Sequence, residues 1–286
     1  MNAARQSLSP EGLEFRPRRK SFDMEAALAT DWHGGNAFRT AWFNAMSMLF
    51  PLGEKFFIDS VRHFAGDIDD PQLLAEISAF QAQEATHRRA HQNYNEMLCE
   101  LRGYDLERIE RDERARIDWA YRELTARRRL AGTTASEHLT AILADEMLTN
   151  SSNMAGADPR IVSLWLWHGI EETEHKAVAF DVHVAIGGTI RERRLALILN
   201  TFFFLKDTLR NLCIMLQKDG RLWSIRVWAS GFKFLFVSPG ILRRVCKPWL
   251  RFMRKDFHPW QHDNRHLIVE WERQTADRDA GAAVSR

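Results

Sequence analysis

Three residues set the chemistry to look for. His168, Glu172 and His175, in WHGIEETEH, follow the spacing H-x3-E-x2-H. On a helix turning about 100° per residue they point at roughly 0°, 40° and 340°, one narrow stripe. Two imidazoles and a carboxylate converging on one face suit a divalent or trivalent metal. A related pattern, E-x2-H-x3-H, occurs earlier as Glu84, His87 and His91 in QEATHRRAHQNYNE. Two E-x2-H motifs on separate helices are half of a dinuclear carboxylate site in a helix bundle. The other half is one Glu from each of two more helices.

Two glutamates qualify by position. Glu54 sits inside the apolar run LFPLGEKFF, and a buried glutamate is expensive unless it is paired or bound to metal. Lys55 is the bland partner, but adjacent helix residues do not face each other. Glu137 lies between the two His-bearing helices. It also follows Thr134 by three, so it has a second reading as a capping-box carboxylate, and Glu146 competes with it for the metal role. The candidate ligand set is Glu54, Glu84, His87, Glu137, His168, Glu172 and His175. His168 is the extra nitrogen donor and would make one ion richer in nitrogen than the other. His91 stays open between a ligand, a donor behind a ligand and a polar rim residue. Glu171 and Glu174, off the stripe, read as solvent or supporting groups, and Asp181 as a surface group or an orienting carboxylate.

Carboxylates suit hard ions, and imidazole suits iron, zinc or manganese. Two ions bridged at about 3.5–4 Å could activate dioxygen if they are iron, or activate water against an ester or phosphoester if they are redox-inert. No Ser-His-Asp arrangement, G-x-S-x-G or phosphate loop suggests another mechanism.

Helices must position this set. Residues 36–64 carry apolar residues at helical spacing across Pro51, which should kink or restart the helix. Asp70 and Pro71 open the next helix as N-cap and first position, and Gly103 closes it. Residues 105–131 read as one charged, solvated helix. Gly132-Thr133-Thr134 then reads as a break, with Thr134 or Thr133 capping the helix that carries Glu137 and with His138 turned away. A helix from about Pro159 to Ile186 carries the opening stripe and ends at Gly187-Gly188. The expected fold is an all-α, ferritin-like four-helix bundle with C-terminal amphipathic helices. Its divisions are a flexible arm at 1–30, the metal-binding bundle at 31–187, a basic and aromatic helical extension at 188–265, and a tail at 266–286.

The totals agree with a globular chain. Of 286 residues, 45% are hydrophobic and 27% charged, enough to bury a core. The net charge of +2 favours no charged partner for the chain as a whole. Cys99, Cys213 and Cys246 stand apart, with no CxxC, against a disulfide framework or a cysteine zinc site. The first twenty residues lack the apolar stretch of a signal peptide. A protein that is cytoplasmic, or else bound peripherally at the inner membrane face, is therefore expected. Residues 221–255 contain nine basic residues and no acidic one, with Trp223, Trp228, Phe232, Phe234, Phe236, Trp249 and Phe252 between them. That suits contact with anionic lipid. The plainer reading, which takes precedence, is that the aromatics pack on the bundle beneath a basic outer face. LALILNTFFFL is too short to span a membrane. FHPWQHD, with His258 and His262, could cover the end of the bundle. No nucleic-acid-reading module is present.

The stretches FPLGEKFFIDSVRHF, FQAQEATHRRAHQNYNE, TASEH, WHGIEETEHKAVAFDV and FHPW together resemble the bacterial family of predicted metal-dependent hydrolases, across about residues 20–265. The ligand pattern is also similar to that of the p-aminobenzoate N-oxygenases. That likeness implies a di-iron centre with seven protein ligands, one an additional His, at Glu54, Glu84, His87, Glu137, His168, Glu172 and His175. An arylamine pocket is not evident, and the 220–260 extension departs from that family's compact bundle. The expectation is a dinuclear metalloenzyme holding two ions, iron first and manganese or zinc as alternatives. It would be an oxygen-dependent oxygenase, oxidase or desaturase with a small apolar or lipid-like substrate and an electron-donor protein. The alternatives are a dinuclear hydrolase of an ester or phosphoester, and a non-enzymatic metal- or membrane-binding scaffold.

Overall fold

The computed structural model describes residues 6–284, with side chains through residue 276. Residues 1–5 of the expected arm and 285–286 of the expected tail lie outside the described residues. Among the described residues the fold is an all-α bundle with no strand, only an isolated bridge between His33 and Ala157.

Local chemistry sets the helix ends. After a short turn of helix, α1 (Glu25–Leu28), helix α2 (Ala37–Ser47) opens where the Asn36 side chain accepts from the Arg39 amide. The kink at Pro51 is a restart: α3 (Phe50–Arg62) places Pro51 in its first turn, where a missing N–H costs nothing. Helix α4 (Pro71–Arg102) is capped by Asp70 and closed by Gly103 in the left-handed conformation. Two boundaries differ from expectation. The charged helix α5 (Leu106–Glu123) stops at the extended Leu124, and Thr125 caps α6 (Ala126–Thr149) by accepting from the Arg128 amide. Gly132-Thr133-Thr134 therefore lies inside α6. Thr134 Oγ1 donates to the carbonyls of Leu130 and Ala179, so it caps nothing and Glu137 is not a capping-box residue. The helix expected from Pro159 to Ile186 is two helices, α7 (Pro159–His175) and α8 (Val178–Ala185), parted at Lys176 and Ala177. Lys176 turns its ammonium to the His262 carbonyl and Asn264 Oδ1. Gly187 takes positive φ after α8, and a Cβ on Gly188 would lie 2.3 Å from the His183 ring.

The bundle comprises α2 with α3, α4, α6, and α7 with α8. Its interior is layered. One apolar layer holds Met48, Tyr94, Leu98, Met147, Leu164 and Trp167. The other holds Val61, Phe80, Ile77, Leu130, Val178 and Val182. On each of the four segments of this bundle polar residues are buried between the two layers: Glu54; Glu84, His87 and His91; Glu137; and His168, Glu171, Glu172 and His175. Apolar burial above and below therefore holds a charged layer in place that would not assemble by itself.

The C-terminal part wraps this bundle. Helix α9 (Ile190–Lys218) packs on α2 and α6 behind a capping box of Thr189 and Glu192. Helix α10 (Ile225–Phe232), a π-helical turn (Lys233–Val237) and α11 (Ile241–Arg251) follow. Phe234 and Phe252 are fully buried against the bundle, as the packing reading expects, whereas Trp223 is 90% exposed and Phe232 62%. Ile225–Arg251 is long and apolar enough to cross a membrane by length and composition alone; it is interrupted at Ser238–Pro239–Gly240. The stretch expected as a tail forms α12 (Arg265–Val284).

Candidate metal centre

All seven candidate residues meet in the polar layer, and all are buried. Their ligating atoms fall into overlapping groups, each within 4.8 Å: Glu54, His87 and His168; Glu84, Glu137 and His175; and Glu84, His87 and Glu172. The first group has two imidazoles and one carboxylate, the second one imidazole and two carboxylates. The third, with Glu172, shares His87 with the first and Glu84 with the second. His168 Nε2 is 2.9 Å from Glu172 Oε1 and 3.9 Å from Glu54 Oε1. His175 Nε2 is 3.0 Å from Glu84 Oε1 and 3.5 Å from both Glu137 Oε2 and Glu172 Oε1. His87 Nδ1 is 3.7 Å from Glu172 Oε1 and 3.9 Å from Glu84 Oε1.

Each imidazole turns one nitrogen to this centre and has the other held from behind. His87 Nε2 meets Glu171 Oε2 at 3.1 Å, His175 Nδ1 meets Gln83 Oε1 at 3.1 Å, and His168 Nδ1 meets His91 Nε2 at 2.8 Å. Such backing fixes the tautomer and orientation of a metal-binding histidine. Thr140 adds a hydroxyl donor to Glu172 Oε2 at 2.6 Å. His91 is thus a supporting group behind His168, tied in turn to Ser47 Oγ at 2.8 Å.

The donor set fits cations. Both carboxylate oxygens of Glu54, Glu84 and Glu137, with His87 Nδ1 and His175 Nε2, are buried without a hydrogen bond. Buried carboxylates without hydrogen bonds are costly, and the protein alone offsets that cost only in part, through the approach of His175 to Glu84. Burial, and then the neighbouring carboxylates, push Glu54 and Glu137 well above the usual carboxylate range. Against its burial, His175 and His168 hold Glu172 well below it. Burial lowers His87 and His91 well below an ordinary imidazole, leaving neutral rings with a lone pair to share.

Several other polar residues take different places from those expected. Glu146 is outside the cluster and accepts from Asn150 and Asn153. Lys55 pairs with Asp59, one turn along its own helix, and leaves Glu54 alone. His138 faces the Pro248 carbonyl and stacks on Phe252. Glu171 and Glu174 are fully buried rather than solvated. Arg18 donates to Glu174 Oε1 at 2.6 Å, and its backbone N–H donates to Glu171 Oε1 at 2.8 Å. The expected loose arm thereby touches the group that backs His87. Asp181 is buried and accepts from His258 Nε2 at 2.9 Å, so it orients a covering residue and no candidate ligand. Gln83, Thr140 and Arg18 were not anticipated.

A family model described as predicted metal-dependent hydrolase matches residues 16–263. No curated protein and no solved structure matches the chain.

Proposed function

Because the chain belongs to the predicted metal-dependent hydrolase family, we propose that it is a metalloenzyme with a dinuclear centre acting on an apolar substrate. Its ligands are Glu54, Glu84, His87, Glu137, His168, Glu172 and His175. The observation that carries this reading is the set of buried, unbonded oxygens on Glu54, Glu84 and Glu137 beside two unbonded imidazole nitrogens. Ions bound there would supply Lewis acidity and hold the reacting groups between them. The protein orients the three imidazoles through Glu171, Gln83 and His91, and Glu172 through Thr140.

Family membership favours hydrolysis of an ester or phosphoester, for which zinc or manganese suffices. The lining of the cavity beside His168 and Glu172 favours a second reading, oxidation by an iron pair. Trp42, Phe43, Met46, Phe50, Leu143 and Trp165 form its walls, with no Lys or Arg to meet a phosphate. That second chemistry requires an electron-donor protein. Elemental analysis of freshly purified protein should find two ions per chain, and a chain purified without stoichiometric metal, whose melting temperature ignores added metal, sinks both readings. Cleavage of a p-nitrophenyl ester or phosphodiester without reductant then supports hydrolysis. Oxygen consumption by the reduced, iron-loaded protein supports oxidation.

A peripheral lipid contact accompanies this proposal. Trp223, Ile225, Phe232, Phe236 and Leu250 are exposed within a segment of nine basic and no acidic residues, which suits an anionic bilayer surface. Sedimentation with phosphatidylglycerol vesicles should carry the protein down and be lost in Trp223→Ser/Ile225→Ser; equal sedimentation of both proteins would refute the contact.

A further inference from the structure

A groove of about 570 Å3 opens between α3, α5, α6 and α9, within the range of about 300–1,000 Å3 typical of small-molecule sites. Phe56, Phe57, Ile117, Leu139 and Phe203 make its walls. Trp119 and Leu199, half exposed, stand at its mouth. Its inner end is Phe50, Thr140 and Phe204, and these three also line the small cavity of about 60 Å3 that reaches His168 and Glu172. Phe50 lies edge-on to His168, with ring centroids 4.9 Å apart. The groove therefore runs from solvent, along apolar walls, to the three residues that part it from the small cavity beside the candidate metal centre.

Its charge has one sign. Arg116, Arg128 and Arg129 belong to the lining. Arg116 is paired with Asp207, and Arg129 donates to the Leu124 carbonyl. Arg128 is exposed, and its guanidinium has no partner among the described residues. The one carboxylate in the lining, Glu113, is buried, with Oε2 unbonded. Burial pushes it well above the usual carboxylate range, so it adds no negative charge to repel an anion.

We propose that this groove binds a single-chain amphiphile with an anionic head, its apolar chain running inward to the metal centre and its head at Arg128. The assignment deepens the proposed function and rests on it for the reactive end of the groove, while binding in the groove is readable without turnover. Gly132 offers a clean obstruction, because a Cβ there meets nothing closer than 3.8 Å and the rest of a leucine would project into the groove.

The test is displacement of a fluorescent fatty acid from the metal-loaded protein by dodecanoate, dodecanol and dodecyltrimethylammonium. Dodecanoate should compete best, with the cation weaker by at least about tenfold, a difference of roughly 1.4 kcal/mol. Gly132→Leu and, as a second filler, Ser136→Phe should weaken all three while melting temperature holds. Arg128→Glu should weaken dodecanoate alone. Equal competition by the cation, or undiminished binding in both fillers, overturns the proposal. Metal is counted on the same samples. Selective binding without stoichiometric metal supports the groove and removes the metal centre; stoichiometric metal without binding does the reverse.

Discussion

His91 Nε2 lies 2.8 Å from His168 Nδ1, and both rings are buried. If His168 ligates through Nε2, its Nδ1 carries the proton and donates to His91. His91 Nδ1 then donates to Ser47 Oγ, and Ser47 donates to Asn95 Oδ1 at 2.7 Å. The relay orients His168 from a second helix. Replacing His91 with Phe should lower metal affinity by about 10–100-fold, the usual effect of removing a group behind a ligand. Chelator competition measures this; unchanged affinity would make the relay a packing feature only.

Metal should stabilise the fold directly. At free metal about a thousandfold above Kd, linkage adds roughly 4 kcal/mol. The gain should shrink between pH 7 and pH 5, because Glu54 and Glu137, pushed toward the protonated form by burial and by the neighbouring Glu84 and Glu172, must lose protons to ligate. Calorimetric melting of metal-loaded and chelator-treated protein at the two pH values checks both statements.

Arg18→Ala should destabilise by roughly 2–4 kcal/mol, because it leaves the fully buried Glu174 without its charged partner. Metal affinity should fall as well, since Arg18 also lies 3.6 Å from Glu171, the acceptor behind His87. Loss of stability with metal affinity intact would confine Arg18 to tethering the amino-terminal segment.

Acid should act through two other histidines. Burial pushes His138 down to about 3 and His183 to about 4, from 6.5. Their folded values are depressed, so the stability they contribute is complete above pH 6.5 and is lost as pH falls toward 3–4. By pH 5 the loss is about 2 kcal/mol per fully buried histidine. His138→Phe keeps the stack on Phe252 and should flatten the pH dependence of the unfolding free energy from urea titration between pH 7.5 and 5 by about 2 kcal/mol. The raised carboxylates Glu54 and Glu137 act in the opposite direction and the depressed Glu172 in the same one, but all are common to both proteins and cancel in the comparison.

The four bundle segments and the cluster of Glu54, Glu84, His87, Glu137, His168, Glu172 and His175 were legible because helical periodicity is local and the motifs recur at fixed spacing. The start of α6 was not legible: Thr125 and Thr134 are both competent caps, and only the contact of Thr134 with Ala179 on another helix decides between them. The burial of Glu174 and Glu171 was also hidden, because it depends on Arg18 arriving from more than a hundred and fifty residues away. The role of His91 was legible only as a choice of three, since spacing places its ring on the right face without saying what lies behind it.

The closure of the bundle at α8 has a practical reading. His258 covers Asp181 and the His262–Asn264 turn takes the ammonium of Lys176, which also lies 3.9 Å from the centre of the Trp260 ring. The last stretch matched by the family thus works as a cork seated one residue beyond His175. A chain shortened ahead of His258 would lose both anchors together and let water reach the inner face of that histidine.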